Sequence, residues 1–419
     1  MNGCRQIACV LLVTCCVHWA SGEEWARFRG PGGTGIGNAD IPAVWTDKDI
    51  NWKIELPGGG HSSPVLWGEK IFLTCGNDQT GERIVVCVNA TDGAIAWQRP
   101  FTSHSFRQHP DNSYASGSAA VDEKNVYVCW STPENLSAVA LDHSGKVLWQ
   151  RDLGPFISQH GGGQSPTLCG NLVIITDDQE GPQSWLFALD KEKGEVVWKV
   201  PRKAGDKFSA ATPLVFKPKD GPEQIIVVSK ASGMSAIDPR DGKTIWELPG
   251  IFESRTVASP FLGDGLIFEC CGDGPQGHGL AAVKPANDGR SATLQYNLTR
   301  AVPYVPTPIV KGDLLFYWTD GGIVTCAKAA TGETVWRQRV EGNYFGSPVC
   351  AGDKLFCLSK QGEMVVLAAS DKFALLARNL LNLEDPSRRQ PPLATTPAIA
   401  NGHMYVRTYT HLVSIGKSR

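Results

Sequence analysis

A short motif recurs eight times along the chain. A small residue followed by Pro or Ala opens an apolar run at Ser63-Pro64, Ser118-Ala119, Ser165-Pro166, Thr212-Pro213, Ser259-Pro260, Thr307-Pro308, Ser347-Pro348 and Thr396-Pro397. Pro64 and Pro397 stand 333 residues apart, so the mean period is about 48 residues. A fixed period of this kind marks a repeat architecture, in which no single unit buries its own apolar face and each must stack on its neighbours. Most copies carry a second element, a Gly-containing turn and then a Trp: Thr91-Asp92-Gly93 to Trp97, His143-Ser144-Gly145 to Trp149, Glu192-Lys193-Gly194 to Trp198, Arg240-Asp241-Gly242 to Trp246, and Ala330-Thr331-Gly332 to Trp336. In two copies the Trp is lost, Asn287-Asp288-Gly289 leading to Leu294 and Ser370-Asp371 towards Ala377. Asp-Gly and Thr-Gly between apolar runs supply the positive φ of a tight hairpin.

Each repeat therefore reads as four short strands: A after the small-Pro step, B after a Gly/Asp turn, C before the second turn, and D bearing the Trp. Four-stranded antiparallel units repeated this often close radially into a β-propeller, which protects their edges. Closure is visible at the chain ends. The last copy supplies A after Pro397, B at His403 to Thr408 and C at His411 to Ile415, with no D strand, while Asn51-Trp52-Lys53-Ile54 is a D strand with no A, B or C before it. The expectation is an all-β, eight-bladed propeller whose last blade is completed by the Trp52 strand.

Composition narrows the function classes. Lys+Arg 40 against Asp+Glu 42 gives a net charge of −2, which offers no overall basic field to nucleic acid, and 42% apolar content excludes a disordered chain. The 45 Gly and 27 Pro argue against long helices. Residues 1–22 read as a signal peptide, with Arg5, an apolar run from Ile7 to Val17, and Ala20-Ser21-Gly22 before a cleavage at Glu23. No later stretch is long enough to span a membrane. Residues 23–419 are then one exported domain, periplasmic or extracellular, and expected to be a monomer. Cleavage leaves nine cysteines with no C-x-x-C and no zinc spacing, most of them inside apolar strand-like runs where Cys packs as a small hydrophobe.

The small-Pro step, the Gly-Asp turn and the Asp/Thr-Gly-x-x-x-Trp element resemble the pyrroloquinoline quinone (PQQ) repeat, the tryptophan-docking blade of quinoprotein alcohol dehydrogenases and of BamB-like assembly lipoproteins. The opening Trp25-Ala26-Arg27-Phe28-Arg29-Gly30-Pro31 is similar to the start of many short exported PQQ-like propellers. The resemblance spans roughly residues 25 to 416 and speaks to fold, since docking Trp residues stabilise blades with or without a cofactor.

In such a blade the D-to-A and B-to-C connections share one face, and that face is varied and polar near the axis. It gives the candidate ligand-binding residues His61, Tyr114, His160, Asp178, Lys207, Arg255, Tyr304, Trp318, Asp320 and Tyr344. The function this supports is a non-catalytic scaffold binding a protein partner or a small anionic or saccharide-like ligand. The alternative implied by the resemblance is a PQQ- and calcium-dependent dehydrogenase of alcohols or sugars. Its calcium would draw on Asp178, Glu269, Asp273 or Asp320, and the neighbouring Cys270-Cys271 would stand where quinoproteins often carry a vicinal disulfide. No other family active-site motif is matched, so no catalytic residue, metal or cofactor is assigned.

Overall fold

The computed structural model describes residues 24–274, 276–381 and 392–416; residues 1–22, read above as a signal peptide, lie outside them. Eight antiparallel blades stand in a ring. Blade 1 runs Val65–Trp67, Lys70–Gly76, Arg83–Asn89 and Ile95–Phe101, and blades 2 to 7 repeat that order with A strands at Ala120–Val121, Thr167–Cys169, Leu214–Phe216, Phe261–Gly263, Ile309–Lys311 and Val349–Ala351. Blade 8 consists of Ala398–Ala400, His403–Arg407 and His411–Ile415, and its outer strand is Ile50–Glu55, with Trp52 opposite Ser414. The stitched blade expected from the chain ends is thus present. Regular helix among the described residues is limited to two 3-10 turns, Pro31–Gly33 and Asp47–Asp49, and no described helix is long and apolar enough to cross a membrane.

The core is divided into slabs between blades. Phe72, Val85 and Cys87 of blade 1 pack with Val121, Val126 and Leu141 of blade 2, and comparable clusters fill the other junctions. The outer rim is fastened by the repeated Trp. In all eight blades the C–D ladder carries a bulge beside the docking position, which re-aims that side chain towards the next blade. The indole N–H of Trp52, Trp97, Trp149, Trp198 and Trp336 donates to the carbonyl of Ala90, His143, Lys191, Pro239 and Ser370 of the following blade, at 2.8 to 3.1 Å. Four of these rings lie flat on that blade's turn glycine. At Gly194, with φ +67°, an added Cβ would sit 2.4 Å from Trp149 Cδ2.

Blade 5 corrects one expectation. Its docking residue is Tyr296, not Leu294: Tyr296 pairs with Ala282 at the register position Trp198 and Trp246 hold, and its hydroxyl donates to Ala329 O at 2.6 Å. The turn-to-docking spacing is longer there, seven residues from Gly289 to Tyr296 against four in the Trp-bearing copies. In blade 7 the position is Ala377, as the spacing indicated.

The segment Glu24–Gly37 crosses the axis. Trp25 bridges Leu66 of blade 1, Ala26 O accepts from Val121 N of blade 2, and Arg27 Nη2 donates to Pro213 O of blade 4. The buried guanidinium of Arg29 donates to the carbonyls of Thr307, Pro308 and Pro348 in blades 6 and 7, and to Gly33 and Thr34 of its own segment. Ile36–Gly37 then adds as a parallel fifth strand to blade 7. Trp25 lies against Gly30, where an added Cβ would meet its ring at 2.5 Å. The opening W-x-x-F-R-G-P is therefore an axial plug.

All nine described cysteines are free and buried. Cys270 and Cys271 are consecutive in one strand and point to opposite faces, Cys270 packing with Leu315 and Tyr317 of blade 6 and Cys271 with the blade 4 cluster. They form no vicinal disulfide.

Candidate functional site

Above the plug, on the face made by the D–A and B–C connections, a cavity of ≈470 Å³ occupies the axis. Its wall includes the residue two positions before every A strand: Ser63, Ser118, Ser165, Thr212, Ser259, Thr307, Ser347 and Thr396. Each is a hydroxyl, and each is buried. They are linked blade to blade. The backbone N–H of Ser63 donates to Ser118 Oγ, Ser118 to Ser165, Thr212 to Ser259, Ser259 to Thr307, Thr307 to Ser347, Ser347 to Thr396, and Thr396 back to Ser63, at 2.8 to 3.0 Å. No such bond runs from Ser165 to Thr212 among the described residues. The ring satisfies backbone donors that the narrow centre of the propeller would otherwise strand. It also leaves each hydroxyl hydrogen free to donate inward, because an accepting hydroxyl keeps its O–H.

Phe28 of the plug closes the floor, and Phe208, Phe345, Val257, Val305 and Tyr304 give the wall aromatic and apolar faces. The mouth is crossed by the long connection between blades 1 and 2. There His109 stacks on His160 at 4.8 Å between centroids, and Asp111 meets Lys360 of blade 7 at 3.5 Å. From His160 the network continues to Arg255, whose Nη1 lies 2.7 Å from Nδ1, and then to Asp273, shared by Arg255 at 3.4 Å and Lys207 at 2.8 Å.

The electrostatics follow from burial. His160 is drawn down to about 4, first by desolvation and then by Arg255 and His109, so it is neutral at pH 7. His61 is drawn to about 3 by desolvation and by Arg407, and its Nε2 has no partner among the described residues. Burial pushes the Tyr304 phenol up to about 12 and raises the Asp320 carboxyl, although Asp320 accepts from the N–H groups of Tyr304 and Val305 at 2.9 and 3.2 Å.

Of the residues singled out from the sequence, His61, His160, Tyr304 and Asp320 line the cavity. Lys207 and Arg255 stand behind its surface, committed to Asp273, so the inner wall is not cationic. Tyr114 lies outside the cavity, with Arg83 over its ring at 4.7 Å and its hydroxyl donating to Phe106 O. Asp178 is in a buried ion pair with Arg202 at 2.6 Å. Trp318 and Tyr344 are fully buried in the core between blades 6 and 7, since the inward alternation of their segments points them into the slab. Among the carboxylates named for calcium, Asp273 and Asp320 reach the cavity. Glu269 is fully buried on the same face of its strand as Ile267 and Cys271, towards blade 4. Among the described residues no three His, Cys, Asp or Glu side chains come together to hold a metal ion. Sequence reasoning missed the hydroxyl ring, Phe28, His109 and Asp111. The ring had a signal: all eight small residues of the repeat are Ser or Thr.

Comparison with known proteins places the chain. The family model described as outer membrane protein assembly factor BamB matches residues 81–265 and 282–372, roughly two thirds of the sequence. The chain belongs to that family. A polyvinylalcohol dehydrogenase of a Pseudomonas species is 26% identical over 197 residues, which cover 43% of this chain and 28% of the relative. The chain spans about a third of the length of the curated relatives it matches. Among solved structures, BamB of Moraxella catarrhalis is similar with a TM-score of 0.62 and 15% identity over 90% of this chain and 97% of that one. The quinohemoprotein alcohol dehydrogenase of Comamonas testosteroni is similar with a TM-score of 0.68 and 12% identity, over 94% and 81%. At these identities the likeness shows the fold, an eight-bladed PQQ-like propeller.

Proposed function

We propose that the protein is an exported, non-catalytic binding propeller that takes a small ligand in the axial cavity on the D–A and B–C face. The carrying observation is the cavity itself, closed below by Phe28 and walled by a hydroxyl from each of eight blades. Its volume falls in the usual small-ligand range of about 300–1,000 Å³. Export rests on the leader-like residues 1–22 and on the family's printed description as an outer membrane assembly factor.

A calcium-held quinone with three carboxylates needs a cluster of oxygen ligands and free cations beside an aromatic plane. Among the described residues the carboxylates do not cluster, Lys207 and Arg255 are both engaged by Asp273 and stand off the cavity surface, and Trp318 is inside the core. These residues do not fit that group. The test is to add PQQ with calcium to the purified protein and follow the quinone absorbance and dye reduction with alcohols and sugars. No binding and no turnover are expected; a bound quinone that reduces dye overturns the proposal.

A further inference from the structure

The ligand class can be argued from the chemistry of the cavity wall, on the reading that the axial cavity is a binding site. We infer that it takes a neutral, hydroxyl-rich ligand, a saccharide or polyol, and not an anion.

Charge is the first argument. The ionic side chains that reach the inner surface are Asp111 and Asp273, whose cations are set behind them, and Asp320, which is held by the backbone N–H groups of Tyr304 and Val305. Asp111 is paired with Lys360, and Asp273 with Lys207 and Arg255. A carboxylate or phosphate entering here would meet carboxylate oxygens before it met any free cation. The paired acids in turn leave little net field to attract a cation.

Hydrogen bonding is the second. A sugar hydroxyl donates one bond and accepts up to two, so it suits a wall that mixes donors and acceptors. The hydroxyl ring supplies donors all round the axis, because its oxygens already accept backbone N–H groups. The Thr212 hydroxyl, in a residue 2% exposed, makes none of the ring's bonds. Asp111, Asp273, Asp320 and Asn112 supply acceptors. His61 is a separate sign of an absent partner: it lines the cavity, is 6% exposed, and among the described residues its Nε2 is unpaired. Such a buried polar atom is costly unless something satisfies it.

The aromatic residues are the third. Phe28 below and Phe208 and Phe345 at the sides offer flat apolar faces among the polar groups. The C–H faces of a sugar ring pack on such surfaces while its edge hydroxyls reach the wall.

The experiment uses the whole mature chain and saturation-transfer NMR with isothermal titration. The neutral probes are glucose, cellobiose, maltose and myo-inositol; glucuronate and glucosamine are their charged counterparts. Gly163→Leu fills the cavity at small structural cost, since a Cβ there meets nothing nearer than Ala210 Cβ at 3.5 Å and the glycine is not left-handed. Phe345→Ala is the second variant, and thermal melting checks that both fold. The expected result is saturable binding of at least one neutral probe, weakened about tenfold or more by Gly163→Leu and also weakened by Phe345→Ala. Absence of saturable binding by every neutral probe, or binding indifferent to both folded variants, overturns the inference. Binding of glucuronate alone, sensitive to Gly163→Leu, overturns the ligand class while leaving the cavity a binding site. Quinone-dependent turnover instead overturns the underlying reading.

Discussion

Thr→Val substitutions in the hydroxyl ring separate its structural role from its place in the cavity wall. Thr307 and Thr396 each accept a backbone N–H from the preceding blade, Ser259 and Ser347 respectively, at 3.0 Å. Valine keeps the branched shape and removes the acceptor, so the N–H of a buried residue loses its partner. An unsatisfied buried N–H costs about 1–3 kcal/mol. With an unfolding entropy of about 2.1 cal/mol/K per residue over roughly 380 described residues, the slope is about 0.8 kcal/mol per degree. Each variant should therefore melt ~1–4 °C lower. Thr212 is the internal control. Its hydroxyl takes no ring bond although the residue is equally buried, so Thr212→Val should change stability by less than about 0.5 kcal/mol. Urea unfolding followed by Trp fluorescence, with melting by calorimetry, measures all three. Equal destabilisation at the three positions, or none at Thr307 and Thr396, refutes the ring as a set of stabilising bonds.

Three further outcomes are expected. Gly194→Ala should destabilise by about 2–4 kcal/mol, since it combines a left-handed backbone with overpacking against Trp149, whereas Gly170→Ala, at φ +55° with nothing within 4 Å of its Cβ, should lose only about 1–2 kcal/mol; equal losses in urea melts would remove the docking argument. Acid should weaken the fold: the folded values of His61 and His160, about 3 and about 4, lie below the usual value near 6.5, so the unfolded chain binds more protons in between. Stability is then full above about pH 6.5 and lost as pH falls through the folded values, and His61→Gln should flatten the slope of stability against pH, a result contradicted if the variant's slope matches the parent's. The nine buried thiols should resist a disulfide-exchange reagent in the native protein and react on unfolding, Cys270 included, because burial raises its pKa far above the usual thiol value; fast native labelling at Cys270 or Cys271 would contradict their packing.

The fold was legible because its determinants are local and repeated. A Gly turn, a docking Trp and a small-Pro step at fixed spacing describe one blade, and the missing D strand at Ile415 beside the surplus one at Trp52 describes closure. Legibility failed where spacing changed. Blade 5 lengthens its D hairpin, and the docking aromatic moved from the position counted for Leu294 to Tyr296, which only the pairing with Ala282 identifies.

The site was less legible because a loop residue's position in the chain does not say which way its side chain turns. Lys207 and Arg255 fall on the expected face, yet Asp273 draws both away from the cavity surface, and that pairing joins segments remote in sequence. Trp318 and Tyr344 fall at the same topological level but alternate into the slab between blades. What fills the axis instead came from two places read as fold signals: the small residues that lead into the A strands and the W-x-x-F-R-G-P start. A propeller crowds its innermost strands, so whatever side chain leads into strand A both closes the ring and faces the axis. The residue that makes the repeat recognisable is for that reason also the one that sets the chemistry of the cavity.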